Sequence, residues 1–510
     1  LISAVSGRDA LIALSLANLC YLRVWTELLT YQRHDTYLMK LPPGPAAMLA
    51  AMTSVVGFAA VLWIAVTWAR RSASKRIWAF AEWAFLLSLA LPLNALRAVL
   101  TRFSDLFKST LFEILGTGGV MALAVILVAG GCASILFFRK TLAAAVAAVL
   151  AAMSPFCAFT FGQAIWKIKQ YDPAEFANRP SEPLAPVLKD QHVVWFVCDE
   201  WDYRLTFVDR NASLLLPEID RLRGETLFAE NALPPGPETP VSIPSYFIGR
   251  LVEHTSYQSP HDTALLYQGE KNSVQWSEQP SIFTRAHNLG FNTAAVEWFH
   301  PTCRVLPGMA YCDWSPLALQ SNSMGETFAE LLPNQTRSLF ETTLLSPFGP
   351  SLSQQAHLRT YRAIMEASLR TVNNKNYNVT FIHLPIPHAP HAYNSRTKRF
   401  DLANSPIKGY TDSLALLDLT LGELRRSMEH AGIWDTSTIL ITSDHPYREA
   451  QLLDGKSDPR IPWLLKLPHQ QQGCRYPHKF NTIITQEFLL AALKGEFADA
   501  AGAKLWLDTK

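Results

Sequence analysis

The sequence predicts a bundle of about five membrane-crossing helices followed by an α/β domain with a mostly parallel central sheet. Three observations carry that prediction. Long apolar runs crowd the chain before about residue 165 and then stop. After about residue 190, short β-rich runs alternate with helical patterns. Two of those runs, 192–198 and 437–443, end abruptly in Asp199-Glu200 and Asp444-His445. Strands that alternate with helices favour parallel pairing under two helical layers, and such sheets present ligands at the carboxyl ends of their strands.

The helical part comes first. A bilayer crossing needs roughly 20 mostly apolar residues, and the runs near 10–30, 46–69, 77–96, 118–138 and 141–164 are long enough. The first contains Arg23 and Glu27 one helical turn apart, placed to pair on one face or to lie at the interface. Arg70, Arg71, Lys75 and Arg76 follow the second run, and Arg139 and Lys140 the fourth. By the positive-inside rule both turns face the cytoplasm, so everything after residue 165 lies outside it. The chain opens without Met, which leaves a cleaved signal peptide open, although the first run is long for one. The stretch 94–116 mixes charge with Leu and Phe at helical spacing and reads as a boundary-lying helix or a loop helix.

The expected division is a transmembrane domain over 1–165, a Pro-rich linker over 166–190 and an extracytoplasmic domain over 191–510. Within the last, helical patterns at 214–224, 281–289, 355–372, 412–430 and 485–494 alternate with strands at 192–198, 291–296, 378–384, 437–443 and 461–466. The net charge of +2 gives no electrostatic case for nucleic acid. Of the seven cysteines, Cys20, Cys132 and Cys157 fall in membrane runs, Cys198 in a core strand, and Cys474 without a partner. Cys303 and Cys312 bracket a short loop in the part placed outside, where a disulfide is permitted.

The chemistry centres on Thr239, within NALPPGPETPVSIPSYFIGR. A hydroxyl is a poor nucleophile unless a cation strips its proton, so a catalytic Thr implies metal ligands elsewhere, and the two acidic strand ends supply them. Strand-Asp/Glu, Thr-x-x-Ser-x-Pro, His-x4-His-x-Pro and strand-Ser-Asp-His, in that order, resemble the alkaline phosphatase superfamily in its sulfatase-like branch. With the helical anchor they resemble the membrane-bound phosphoethanolamine transferases of lipid A and, more distantly, the lipoteichoic acid synthases. That resemblance implies a divalent metal, zinc or manganese, held by Asp199 or Glu200, Asp444, His445 and the Thr239 oxygen. It implies that Thr239 takes a phosphoryl-bearing group from a lipid donor and passes it to a glycan or lipid acceptor. It implies that His388, with His383 or His391 on the substrate side, donates to a non-bridging oxygen or to the leaving group. No cysteine carries the Cys-x-Pro-x-Arg of formylglycine sulfatases. Pro446 replaces the Gly that commonly follows Ser-Asp-His, and Arg460 and His478 are the candidates for the missing downstream histidine.

Plainer roles compete with each assignment. Thr239 in a Pro-rich loop can shape a turn, Asp444-His445 can cap a helix, and the histidines of HLPIPHAPH can be polar loop punctuation. Trp298, His300 and Arg304 either line a cleft or pack. Three function classes therefore stand: a transferase acting on envelope lipids or glycans, a phosphate or sulfate ester hydrolase of the same fold, and a non-catalytic lipid-sensing descendant.

Overall fold

The computed structural model describes residues 2–31, 33–72, 74–103, 105–186, 191–317, 325–340, 352–401 and 406–510. They form two compact units.

The helical unit comprises Leu1–Tyr31, Pro43–Asp172 and Met324–Leu352. Among the described residues, three stretches, Pro45–Arg71, Lys75–Leu100 and Ala133–Lys169, are long and apolar enough to cross a membrane, and Gly7–Cys20 with Leu22–Leu29 makes a fourth, bent by 60°. The expected run 118–138 lies inside the helix Asp105–Ala152, whose backbone departs from helical geometry at Gly116 and Phe138. Several of its side chains lie outside the description, as do most of those in 94–116. Asn18 ties the bent pair together, its Oδ1 accepting from the Trp25 indole at 2.8 Å and from Thr160 Oγ1 at 3.2 Å. Arg23 and Glu27 pair at 3.2 Å and are buried, the arrangement that makes such charges tolerable inside an apolar bundle. Met324–Leu352 joins this unit because Leu331 and Leu339 pack with residues of the N-terminal helices. Gln335 also donates to the Ala47 carbonyl at 3.0 Å.

The α/β unit comprises Gln32–Pro42, Pro173–Ser323 and Ser353–Lys510. Its main strands are β1 (Val193–Cys198), β2 (Leu227–Leu233), β6 (Thr293–Trp298), β7 (Tyr311–Ser315), β8 (Val379–Leu384), β11 (Thr438–Ser443), β12 (Trp463–Lys466) and β13 (Cys474–Asn481). Val252–Ser259, Asp262–Tyr267 and Val274–Gln275, β3 to β5, form a small antiparallel sheet, and β9 with β10 (Tyr393–Asn394, Arg399–Phe400) a short hairpin. The large sheet runs in the order β13-β2-β12-β11-β1-β8-β6-β7. It is parallel throughout except for β12, which is antiparallel to both neighbours. β1, VVWFVC, is buried at every position, as expected of a strand covered on both faces. Its register sets Cys198 beside Ser443 of β11 and Leu384 of β8. Asp199 and Asp444 therefore leave the sheet side by side, and His383 sits one residue back on the adjoining strand.

The chain over 177–186 forms neither helix nor strand, and it is fastened along this unit. Arg179 N donates to Cys303 O at 2.9 Å, Glu182 N to Met309 O at 2.8 Å and Ala185 N to Asn292 Oδ1 at 2.9 Å. Cys303 and Cys312 form the expected disulfide. Closing so short a loop restricts the unfolded chain, so replacing both cysteines by serine lowers the unfolding free energy by about 2–3 kcal/mol, checked by denaturant titration.

Candidate active site

Thr239 opens the helix Thr239–Ile248. Pro240 suits the first turn, where its missing N–H has no helical partner to lose. Gly249 ends the helix with φ 73°, a conformation that favours glycine. A Cβ there would also meet Gln486 Oε1 at 2.8 Å. Tyr246 and Phe247 hold the helix on the sheet, their rings 5.3 and 6.1 Å from Trp195 of β1, with Phe247 also 4.7 Å from Phe381 of β8.

The packing brings the Thr239 hydroxyl to the two strand ends. Its Oγ1 lies 3.1 Å from Asp199 Oδ2, 2.8 Å from Asp444 Oδ2 and 3.3 Å from His445 Nε2, and all four residues are buried. One hydroxyl carries one proton, so it cannot donate to both carboxylates at once. The Nδ1 of His445 lies 2.9 Å from the Pro446 carbonyl, which only accepts, so Nδ1 carries a proton and Nε2 is the ring nitrogen that faces the cluster. Burial and the Asp444 charge push Asp199 well above the usual carboxylate range.

This arrangement fits a divalent cation. Among the described residues, Asp199, Asp444 and His445 form the group whose ligand atoms converge, all within 4.8 Å of one another. Asp199 Oδ1 is buried without a hydrogen-bond partner. Convergent lone pairs on buried acids are costly alone and satisfied by a cation. The Nδ1–H of His445, held by a carbonyl, is the outer contact that fixes a ligating imidazole.

Beside the cluster, His383 sits with Nδ1 2.9 Å from Glu297 Oε1 and Nε2 3.7 Å from Asp199 Oδ2. Burial pushes the Glu297 carboxyl up to about 7. Burial opposes protonation of His383, yet the Glu297 hydrogen bond and charge raise it overall. Glu297 was not singled out from sequence, because within TAAVEW it reads as one polar residue in an apolar strand.

The remaining candidates go elsewhere. Glu200 does not join the ion-binding group. Its backbone is left-handed, φ 62°, held by a hydrogen bond from Tyr410 Oη to its carbonyl at 2.7 Å, and its carboxylate meets Arg448 Nε at 2.8 Å. His388 lies at this rim, 5.0 Å from the Trp298 ring, with Nε2 3.4 Å from Arg448 Nη2. Arg448, half exposed at 51%, was visible in SDHPYR but given no role. His391 is fastened to Ser413 Oγ at 3.0 Å, and its carbonyl accepts from Gln354 at 2.8 Å. Arg460 is engaged by Asp458 at 2.7 Å, the Glu230 carbonyl at 3.1 Å and the Tyr203 ring at 4.3 Å. His478 is exposed on the edge strand β13, 5.3 Å from the Tyr476 ring. Neither Arg460 nor His478 reaches the Thr239 cluster through these contacts. The one is neutralised by a near-sequence carboxylate, and the other is carried by a strand three places from β11 in the sheet.

The family model described as Sulfatase matches residues 191–493, more than half of the chain. The chain belongs to the sulfatase family. Its match takes in the Thr239 helix, both acidic strand ends and the histidine loop, and members of this fold use divalent metals. Solved structures similar to it include the PsFucS1 sulfatase from Pseudoalteromonas sp., at 15% identity and TM-score 0.43, covering 60% of this chain and 68% of that one. An alkaline phosphatase superfamily protein from Vibrio parahaemolyticus follows at 13% and 0.38, covering 63% and 71%. The lipoteichoic acid synthase LtaP from Listeria monocytogenes has 15% and 0.38, covering 62% and 75%. No curated protein matches the sequence significantly.

Two buried histidines near the rim each favour the unfolded state in acid. Burial, reinforced by His388, lowers His357 to about 3; burial lowers His391 to about 4 despite the opposing Glu200 charge. Each folded pKa lies below the unfolded value of about 6.5, so the unfolded state binds the extra proton and stability is lost as pH falls through that value. Between pH 7 and 5.5 these two rings cost roughly 2 kcal/mol of unfolding free energy, opposed by the raised Glu297 and Asp199 carboxyls, which take up protons in the folded state. His357→Asn should therefore make the change in unfolding free energy from pH 7 to 5.5 more favourable than in the wild type by about 1 kcal/mol, read by denaturant titrations at the two pH values.

Proposed function

We propose that this chain is a membrane-anchored, metal-dependent transferase that moves a phosphoryl-bearing group from a lipid donor to an envelope lipid or glycan through an intermediate linked to Thr239. The observation that carries this reading is the Thr239 hydroxyl held at 2.8–3.3 Å from Asp444, Asp199 and His445, a nucleophile placed inside a ligand set. Helices long and apolar enough to cross a membrane keep lipid donors at hand. The Cys303–Cys312 disulfide and the basic clusters after the second and fourth apolar runs support a catalytic unit outside the cytoplasm.

When bound by Asp199, Asp444, His445 and the Thr239 oxygen, zinc or manganese supplies a Lewis acid that lowers the hydroxyl pKa and offsets charge on the phosphoryl oxygens. Thr239 Oγ1 forms the new bond to phosphorus, and the bond to the lipid alcohol breaks, that alcohol leaving with a proton. An acceptor hydroxyl then attacks phosphorus, and the Thr239 oxygen leaves and regains its proton. In this reading His388 takes the acceptor's proton at Nε2, the acceptor hydroxyl replacing the Arg448 N–H that faces this nitrogen at 3.4 Å. Its Nδ1 donates to the Ala389 carbonyl, and burial holds the ring below the usual imidazole range. Arg448 offers the remaining donors of its guanidinium to an anionic group at the mouth.

The test is incubation of the purified full chain with head-group-labelled phospholipid and a lipid or glycan acceptor. Label on the acceptor is the expected result. Label released only to water makes the chain a hydrolase of the same fold and overturns the transfer step. No movement of label, together with no metal in the native protein, points to a lipid-sensing descendant.

A further inference from the structure

In chain order Gln32–Pro42 lies between the first two apolar runs, yet it belongs to the α/β unit. Tyr37 and Leu38 are buried in that unit's core, the Tyr37 ring 4.8 Å from Tyr257. The Tyr37 carbonyl accepts from the buried Arg304 Nη2 at 2.7 Å. Arg304 lies over the Trp314 ring at 4.8 Å. This segment is therefore held from below as well as packed from the side.

Its hydroxyl points toward the nucleophile. Tyr37 Oη lies 3.1 Å from His300 Nδ1, and His300 Nε2 lies 3.3 Å from the Thr239 carbonyl oxygen. The ring is buried and edged by Trp276 at 5.0 Å and Phe299 at 4.9 Å. A carbonyl only accepts, so the proton of the neutral imidazole is on Nε2. Nδ1 is then a lone pair, and the Tyr37 hydroxyl is its donor. The hydrogen bonds run in one direction, from Tyr37 through His300 to the peptide whose side chain is Thr239. That peptide sits at the start of a helix, next to a proline, and its orientation sets where Oγ1 falls among Asp199, Asp444 and His445.

We infer that Tyr37 is a positioning residue for Thr239, acting through His300. This rests on the reading of Thr239 as the nucleophile. The segment between the first two apolar runs thus completes the catalytic unit, rather than merely connecting helices. Tyr37→Phe removes one hydroxyl and leaves ring packing intact, so it isolates the hydrogen bond. A small rotation of a nucleophile away from its attack geometry slows the chemical step more than it weakens binding.

The experiment uses the full chain in detergent, zinc-loaded, with bis(p-nitrophenyl) phosphate as probe and with histidine labelled with nitrogen-15. In Tyr37→Phe the unprotonated Nδ1 resonance of His300 should shift, and kcat should fall about tenfold with KM nearly unchanged. His300→Gln keeps a donor for the Thr239 carbonyl but breaks the link to Tyr37, so adding Tyr37→Phe to it should change kcat no further. An unmoved resonance, an unchanged kcat in Tyr37→Phe, or additive effects in the double variant overturns the proposal. In a wild-type chain inert toward the diester, a nitrogen-15 shift on Tyr37→Phe means that the nucleophile reading failed and took the positioning role with it, and no shift means that the Tyr37–His300 link itself failed.

Discussion

Replacing Thr239 by alanine lowers turnover by at least about 10⁴-fold, the scale of losing a nucleophile whose surroundings remain intact. The expectation follows from the geometry: Oγ1 is the atom within 3.3 Å of all three candidate ligands, and alanine deletes it without disturbing the helix, which is held by Tyr246 and Phe247. Secondary structure should therefore stay close to that of the wild type. Thr239→Ser keeps the oxygen but loses the methyl that restricts its rotamer, so it should retain measurable turnover. A Thr239→Ala chain with wild-type rates would remove the nucleophile assignment.

Asp199→Asn should give two effects of opposite sign. Without a cation, Asp199 and Asp444 are buried together, burial and the Asp444 charge disfavour ionised Asp199, and Asp199 Oδ1 has no hydrogen-bond partner. An amide in place of one carboxylate relieves that repulsion and stabilises the metal-free chain by about 1–2 kcal/mol. The same change removes an anionic ligand, so zinc or manganese affinity should fall by more than about 100-fold, and turnover with it. Denaturant titration in chelator and calorimetric metal titration read the two effects separately. A variant less stable than wild type without metal, yet binding metal normally, would show that the acidic pair is an ordinary buried network.

The parts of this molecule legible in its sequence are those written in contiguous residues. The run 192–198 announces β1, and its end announces Asp199; 437–443 does the same for β11 and Asp444-His445. Each is a continuous apolar strand stopped by polar residues, and the parallel register that brings the two ends together follows from the fold class. The Thr239 stretch was legible as a site but not as a helix, because its five prolines and Gly236 read as loop. β2 and β13 pair in parallel across more than two hundred residues of chain, a partnership no local pattern encodes. The Glu297–His383 pair has the same origin: β6 and β8 are neighbours only in the folded sheet. Tyr37 was hidden by its position between apolar runs, where short polar segments look like connectors. The grouping of Met324–Leu352 with the N-terminal helices was hidden for the converse reason, since one amphipathic helix does not state which core it covers. Arg460 and His478 were proposed from chain position after Ser-Asp-His. Position along the chain does not report that Arg460 already faces Asp458.

The most direct measurement is the peptide mass spectrum of the metal-loaded chain quenched during incubation with phospholipid. A mass increase equal to the donor's phosphoryl-bearing group, confined to the peptide containing Thr239 and lost on adding acceptor, is the predicted result. Turnover that proceeds with the adduct on another residue, or with no adduct at any quench time, would contradict it.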